Sequence, residues 1–206
     1  QVLYCQYKCI KMNATFVSKE DPMNWLLFIS QLPTHPSSLR VNVWRKMRTA
    51  GACGLQNGVW VLPDQPEHVK FLEELLSMIQ SQGASGQLFR MTPFNEEVEK
   101  DILSRISTDR EEEYAEFIER SQEFLAEIKK ESAKQKFTFA ELEENEQDIF
   151  RLSKWLERIQ RRDFFCGDKA KSASETLELC QKEFDKFAAH VYARQTEDSA
   201  NENPNT

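Results

Sequence analysis

Four cations between residues 40 and 48 are the part of the sequence whose residue types and spacing could do chemistry. They are Arg40, Arg45, Lys46 and Arg48, with no acidic residue among them. Guanidinium groups donate paired hydrogen bonds that fit the oxygens of a phosphate or a small oxyanion. The pattern therefore indicates contact with DNA or with an oxyanion, and the alternative is a solvated helix face that binds nothing.

A second group of cations lies close to residue 160. It comprises Arg158, Arg161 and Arg162, with Arg151 and Lys154 shortly before them. Acidic residues from Glu141 to Asp148 precede this group on the same predicted helix, so the arginines also complement the negative end of the helix dipole. Stabilisation of the helix is the simpler interpretation, and anion contact is a secondary hypothesis.

Aromatic and imidazole side chains offer further candidates. Trp44 and Trp60 could stack on nucleobases, but tryptophans on helix stripes and strands are usually core residues, and we expect both to be buried. The three histidines, His35, His68 and His190, are isolated from one another in the sequence. They show no spacing typical of metal ligands or of a nucleophile and its base, so we expect surface or cap positions.

No catalytic constellation follows from the remaining polar residues. Asp64 lies at the end of a predicted strand, where its expected role is to cap the next helix. Cys166 has no neighbouring base that would lower its pKa. Cys5 and Cys9 have metal-like spacing, but no second pair follows them. The sequence therefore predicts no enzyme activity, no metal site and no cofactor.

The first group of cations lies on a predicted helix between two apolar segments, residues 25–33 and 58–63, that are typical of core strands. Leu39, Val43 and Met47 recur at i, i+4 and i+8 and predict the buried stripe of this helix. Asn57 and Gly58 predict a tight type I′ hairpin turn, which requires a positive φ at both residues.

A second helix is predicted from about Pro66 to Gly83, followed by a short strand at residues 87–91. The order β-α-β-β-α-β within residues 23–94 is that of a split βαβ, or ferredoxin-like, domain. Its two helices cover one face of the sheet, which leaves the other face for a partner, a second copy or the rest of the chain.

The residue composition changes after residue 94. Residues 95–195 are rich in charged residues, and their apolar positions are spaced three and four apart. They predict an antiparallel helical bundle, and the fold class is therefore α+β. Residues 1–22 and 196–206 are polar and aperiodic and are predicted to be a disordered arm and a disordered tail. Met23, directly before the first strand, is the expected natural start.

Composition limits the class of protein further. The net charge of −7 argues against a surface that coats nucleic acid everywhere, although a local basic face remains compatible with it. The longest apolar run falls far short of the roughly 20 residues that cross a bilayer, so no membrane association is expected. Five scattered cysteines and the lack of a secretory signal favour reduced thiols and a cytoplasmic location.

Several segments, taken in order, resemble the N-terminal domain of ChrB-type chromate-resistance proteins. The segments are Trp25-Leu26-Leu27, Gln31-Leu32-Pro33, Ser38-Leu39-Arg40-Val41, Val43-Trp44-Arg45, Gly51-Ala52, and residues 57–63, 113–114, 137–143, 155–159 and 162–165. The first part is also similar to the central domain of PaaX-type repressors and, through it, to small CRISPR adaptation nucleases. Those nucleases have an aspartate at the end of the first strand, where this chain has Gln31-Leu32-Pro33, so nuclease chemistry is not supported.

The resemblance implies a cytoplasmic, non-enzymatic and dimeric transcriptional regulator. Such a regulator binds promoter DNA and releases it when chromate, the effector, is present. The cations at positions 40, 45, 46 and 48 are then the expected contacts to DNA or oxyanion. The alternative from another class is an oligomerising protein-interaction module without DNA binding, which uses an open sheet face or the acidic bundle.

Overall fold

A computed structural model of the chain describes residues 23–35 and 37–201. The predicted arm at residues 1–22 lies outside the described residues. The last helix continues to Asn201, so the predicted tail begins inside this helix, and its remainder lies outside the described part.

Four strands and five helices follow one another in the described residues. They are β1 (Trp25–Gln31), α1 (Ser38–Thr49), β2 (Cys53–Gln56), β3 (Val59–Pro63), α2 (Pro66–Ser81), β4 (Ser85–Met91), α3 (Glu96–Ala133), α4 (Phe139–Gln160) and α5 (Asp168–Asn201).

The four strands form one antiparallel sheet in the order β2-β3-β1-β4. Phe28 in the central strand β1 lies opposite Trp60 of β3 and opposite Leu88 of β4. Because β3 lies between β1 and β2, the βαβ unit is split, as the sequence predicts. The α+β class and the ferredoxin-like arrangement are confirmed.

Helices α1 and α2 attach to the sheet through apolar stripes. Leu39, Val43 and Met47 are buried on α1, which confirms the predicted stripe. Helix α2 approaches β4 closely at Gly86, where a Cβ atom would lie 2.7 Å from Cδ1 of Ile79. Position 86 therefore requires a glycine because the helix packs so close to the strand, and not because the backbone has an unusual conformation there.

The hairpin between β2 and β3 departs from the predicted type I′ turn. Gly58 has a φ of 76°, but Asn57 is not among the described residues with positive φ. The pairing register also shifts between Gly54 and Gln56, which indicates a bulge next to the turn. The prediction of two positive φ angles is wrong, because the bulge joins the strands with one left-handed residue.

The second face of the sheet, which the sequence leaves for a partner, a second copy or the rest of the chain, is covered over the central strand. Alternation along β1 places Trp25 on the face opposite to Leu26 and Phe28, and all three side chains are buried. Ile102 and Ile106, from the start of α3, belong to the same hydrophobic core. The edge strand β4 remains partly exposed to solvent, since Phe89 on this strand is 46% exposed.

The chain divides into two compact units, and the boundary falls inside α3. The first unit holds the described residues up to Arg110 together with Arg161–Phe165, and the second holds Glu111–Gln160 and the described residues from Cys166 onward. Each unit has its own hydrophobic core. The second core is formed by α3, α4 and α5, with Phe117, Ile159 and Phe187 among its most buried side chains.

The connection between α3 and α4 is held to α5 within the second unit. Arg194 donates a hydrogen bond to the carbonyl oxygen of Gln135 (2.7 Å). The backbone of Gln135 has a positive φ of 53°. Phe137 packs against the rings of Phe187 and His190, at centroid distances of 5.5 and 5.0 Å. His190 therefore has a packing role that its isolation in the sequence does not reveal.

Within the described part of the chain, no helix combines the length and the apolar character that a membrane crossing requires. No group of three or more His, Cys, Asp or Glu side chains there is arranged to hold a metal ion. Cys53 and Cys180 are free and buried, whereas Cys166 is disulfide-bonded, so the expectation of reduced thiols fails at Cys166.

Candidate nucleic-acid interface

The candidate interface lies on α1, because its inner stripe fixes which residues point outward. With Leu39, Val43 and Met47 facing the core, the cations at positions 40, 45 and 46 are exposed and Arg48 is half-buried. The helix has no acidic residue in its first turn. The whole outward side of α1 is therefore cationic or neutral.

Arg40 and Arg48 are engaged by neighbouring groups. Arg40 donates from Nη2 to the carbonyl oxygen of Thr34 (3.1 Å). Arg48 donates from Nη1 to Oδ2 of Asp109 (2.7 Å), and the two side chains are 39% and 41% exposed. This partly exposed ion pair attaches the end of α1 to α3 within the first unit, and Arg48 is the member of the predicted set least available to an outside anion.

Arg45 and Lys46 differ from these two arginines. Both are exposed, and neither has a hydrogen-bond or ion-pair partner among the residues that the structure describes. A cation without a local carboxylate keeps its hydrogen-bond donors and its charge available to an anion from solution. These two side chains are the strongest candidates of the predicted set.

Trp44 is 54% exposed, so the expectation that it is a core residue is wrong. It lies one position past the inner stripe, where the helix surface turns towards solvent. Trp60 on β3 is partly buried and packs against the core. The two tryptophans line one open groove of about 390 Å³, together with Arg48, Cys53, Gly54, Arg105 and Asp109.

The groove contains charged groups that sequence reasoning missed. Arg105 donates from Nε to Oδ2 of Asp101 (3.0 Å), one turn earlier on α3. The i, i+4 spacing of Asp101, Arg105 and Asp109 signals one helix face, but nothing local shows that this face meets α1. That meeting is a contact across 61 positions of the sequence, between Arg48 and Asp109.

Among the described residues, the free thiols of Cys53 and Cys180 are poor nucleophiles. Burial raises the pKa of Cys53 above its ordinary value of 9.0, although the nearby Arg105 opposes this effect. Burial raises the pKa of Cys180 to about 11. Both side chains therefore stay protonated near neutral pH, where a thiol is a poor nucleophile and a poor metal ligand.

Asp64 and His68 have roles other than those predicted. The residue that caps α2 is Gln65, and Asp64 instead accepts a hydrogen bond from Nε of Arg90 (3.0 Å). The expected capping by Asp64 is thus wrong, because Gln65 occupies the N-cap position directly before Pro66. His68 is buried, contrary to its expected surface position, and its Nδ1 lies 2.8 Å from the carbonyl oxygen of Pro63. Burial lowers the pKa of His68 below 6.5.

The secondary group of cations is divided between the two units. Arg158 belongs to the second unit, where its Nε donates to the carbonyl oxygen of Lys154 (3.2 Å). Arg161 and Arg162 belong to the first unit. The backbone of Arg162 approaches Gly51, just past α1, where a Cβ atom on the glycine would lie 3.1 Å from the carbonyl oxygen of Arg162.

Comparison with known proteins gives two matches. Residues 40–198 match the family model described as Protein ChrB, N-terminal. A curated relative, Protein ChrB of Cupriavidus metallidurans (strain CH34), is 27% identical over 173 residues. The matched region covers 84% of this chain and 48% of the relative, so the chain spans about half of the length of the relative.

Proposed function

Because the chain belongs to the ChrB N-terminal family, we propose that it is a non-enzymatic transcriptional regulator of the chromate-resistance type. In this proposal α1 contacts the phosphates of promoter DNA, and chromate causes release. The observation that supports it most is the outward side of α1, where Arg45 and Lys46 are exposed and lack partners among the described residues. The protein then acts in the cytoplasm, as a homodimer.

Phosphate contact has a measurable signature, since each neutralised phosphate releases counterions. The logarithm of the affinity falls with the logarithm of the salt concentration, with a slope of about −0.9 for each phosphate contact. An acidic protein that binds DNA through a small basic face is expected to make few such contacts. If Arg45 and Lys46 each contact one phosphate, their loss therefore reduces the salt slope by a measurable fraction.

The test is a fluorescence-anisotropy titration of promoter DNA at several salt concentrations. We expect the double variant Arg45→Ala/Lys46→Ala to weaken binding and to reduce the salt slope by about 2. The matched control is Lys100→Ala/Lys171→Ala, which removes the same charge from two exposed lysines. These control lysines are already paired with Glu96 and Glu175.

The control should leave the slope close to that of the wild type. Equal losses in the two double variants would mean that net charge, and not α1, governs the binding. Absence of any binding at low salt would refute the DNA part of the proposal.

The response to chromate is tested on the DNA complex. Chromate added at constant ionic strength is expected to release the DNA, whereas sulfate, a tetrahedral dianion of similar size, serves as the control. Release by both anions to the same extent would indicate an effect of anions in general and would contradict a specific response.

Exposed aromatic residues in the second unit favour one alternative, an oligomerising protein-interaction module. Phe139 is 44% exposed and Tyr192 58% exposed, and their rings contact each other at a centroid distance of 5.8 Å. Light scattering of the wild type and of Phe139→Ala/Tyr192→Ala tests this alternative. The alternative would be supported if the wild type were a dimer that does not bind DNA and the variant were a monomer. A monomeric wild type would refute self-association.

A further inference from the structure

The groove beside α1 has one wall that nothing within the described residues covers. Trp44 presents more than half of its surface to solvent, although it is among the largest apolar side chains in the chain. Its neighbours in the groove include Trp60, which is partly buried, and Gly54, over which the Trp60 ring packs so closely that a Cβ atom would lie 3.3 Å from Cζ3 of the ring. An indole face open to solvent and beside a cavity is suited to stack on a flat ligand.

The rim of the groove carries both hydrogen-bond donors and acceptors. Arg105 is 51% exposed and offers guanidinium N–H groups, while the half-exposed Asp109 offers carboxylate oxygens. A planar ring with polar atoms along its edge can stack on the indole and bond to both. Nucleobases have this combination of a flat apolar face and a polar edge.

Helix α1 connects the groove to the unpartnered cations. An α-helix turns by about 100° per residue, so a ligand stacked on the indole would have a phosphate near Arg45, whereas Lys46 projects from the opposite side of α1. Positive side chains along a backbone path, together with an aromatic platform, are the usual arrangement for binding an unpaired strand.

We propose that this groove binds one unstacked nucleobase of a DNA strand, with Trp44 as the stacking platform and Arg105 and Asp109 at the polar edge of the base. The inference rests on the proposed DNA-binding function, and it names the part of the DNA that this groove binds. Trp44 is then a binding residue, and Arg45 contacts an adjoining phosphate.

A small oxyanion fits the same groove less well. Arg48 already donates to Asp109, and Arg105 already donates to Asp101. An oxyanion held by these guanidinium groups would have to displace the carboxylates, whereas a stacked base leaves both ion pairs in place. The indole would also contribute little to the binding of a tetrahedral anion.

The experiment compares two labelled strands of the same length, oligothymidylate of about 12 nucleotides and an abasic strand. Both have phosphates, but only the first has bases. Anisotropy titrations of the full chain are expected to show roughly tenfold tighter binding of oligothymidylate, since stacking adds to the phosphate contacts. The ratio of the two affinities isolates the contribution of the base.

Substitutions then separate the pocket from the charge. Trp44→Ala should bring the ratio close to one, and Trp44→Phe should retain most of it, because phenylalanine keeps an aromatic face. Arg45→Ala/Lys46→Ala should weaken both strands and leave the ratio unchanged. The matched control is Phe150→Ala, which removes an aromatic side chain that is 62% exposed and lies 5.8 Å from the ammonium group of Lys154.

Each outcome decides between defined possibilities. A ratio that survives in Trp44→Ala, or that falls equally in Phe150→Ala, overturns the pocket assignment while DNA binding stands. Thymidine monophosphate that displaces the strand at an equal nucleotide concentration would identify a free nucleotide as the ligand and overturn the strand assignment. If neither strand is bound while promoter DNA is bound, this inference fails and the proposed function stands; if promoter DNA is not bound either, both fail.

Discussion

At the scale of single residues, Met47 is the most deeply buried side chain on the inner stripe of α1. Its side chain has no exposed surface, whereas Val41 on the outer side of the same helix is 42% exposed. The stripe is predictable from spacing alone, because a period of 3.6 residues determines which positions share a face. Burial of the stripe then follows from the apolar residue types.

Met47→Ala is expected to lower the free energy of unfolding by about 2–5 kcal/mol, since it removes buried atoms and leaves a cavity. The control, Val41→Ala, should change it by no more than about 0.5 kcal/mol. Urea titrations followed by circular dichroism measure both values. Equal effects at the two positions would contradict the burial pattern described for α1.

Gly58 and Gly83 provide a second comparison at this scale. Both have a positive φ, 76° and 77°, but a Cβ atom on Gly58 would collide with the carbonyl oxygen of Ser30, whereas nothing lies within 4 Å at Gly83. Gly83→Ala should therefore cost about 1 kcal/mol for the backbone conformation alone.

Gly58→Ala should cost clearly more than Gly83→Ala, because the collision adds to the same conformational penalty. Thermal and urea unfolding of the two variants give the comparison. Similar losses at both glycines would show that the contact with Ser30 does not constrain the hairpin.

At the scale of elements, a carboxyl pair joins α3 and α4 in the second unit. Glu131 is buried, and Oε2 accepts a hydrogen bond from the Asn145 amide (2.8 Å). Burial raises the pKa of Glu131 above 4.5, and its hydrogen bond to Glu141 raises it further. That hydrogen bond and the nearby Lys136 lower the pKa of Glu141. Of the two carboxyl groups, Glu131 is therefore the one that binds a proton first as the pH falls.

A carboxyl whose pKa is raised by folding favours the folded state most below its unfolded pKa. That contribution declines as the pH rises from 4.5 through the raised value. Glu131→Gln imitates the protonated form, so it should be more stable than the wild type at neutral pH, and the difference should shrink below pH 4.5.

Urea titrations between pH 4 and pH 8, at about unit steps, test this dependence. Glu127→Gln is the control, because Glu127 is half-exposed on the same helix and pairs with Lys130. A stability difference for Glu131→Gln that stays constant with pH would contradict the assigned proton.

Element order was more predictable than side-chain environment. The sheet topology follows from alternating apolar strands and helical spacing, which are local properties of the sequence. Trp44, His68 and Asp109 lie where they do because of contacts between distant segments, such as the 5.0 Å approach of the His68 ring to Phe164. No local pattern encodes such contacts, so the groove beside α1 could not be predicted, while the cations that flank it could.

At the scale of the whole molecule, two hydrophobic cores share one chain. The first includes the strands, α1, α2 and the start of α3; the second is built from the rest of α3, α4 and α5. The chain leaves the first unit within α3 and returns to it at Arg161–Phe165. A boundary predicted from the change in composition after residue 94 could not reveal this return, because the returning segment is short.

Separate cores predict separate responses to damage. Met47→Ala should accelerate amide hydrogen exchange in the strands of the first unit and leave the exchange of α5 nearly unchanged, while Phe187→Ala should do the reverse. Hydrogen exchange followed by mass spectrometry at the peptide level measures both. Equal acceleration throughout the chain in either variant would show that the two cores unfold as one.

The close approach of α2 to Gly86 has a consequence for how relatives of this protein diverge. Cδ1 of Ile79 and Cδ1 of Leu76 occupy the space that a larger residue at position 86 would need, at 2.7 and 3.0 Å from its Cβ. A lineage that acquires a side chain at this position must move or shorten the side chain at position 76 or 79 to keep the strand and helix together. These positions are therefore expected to covary during evolution, with the glycine inherited wherever both large aliphatic residues are inherited.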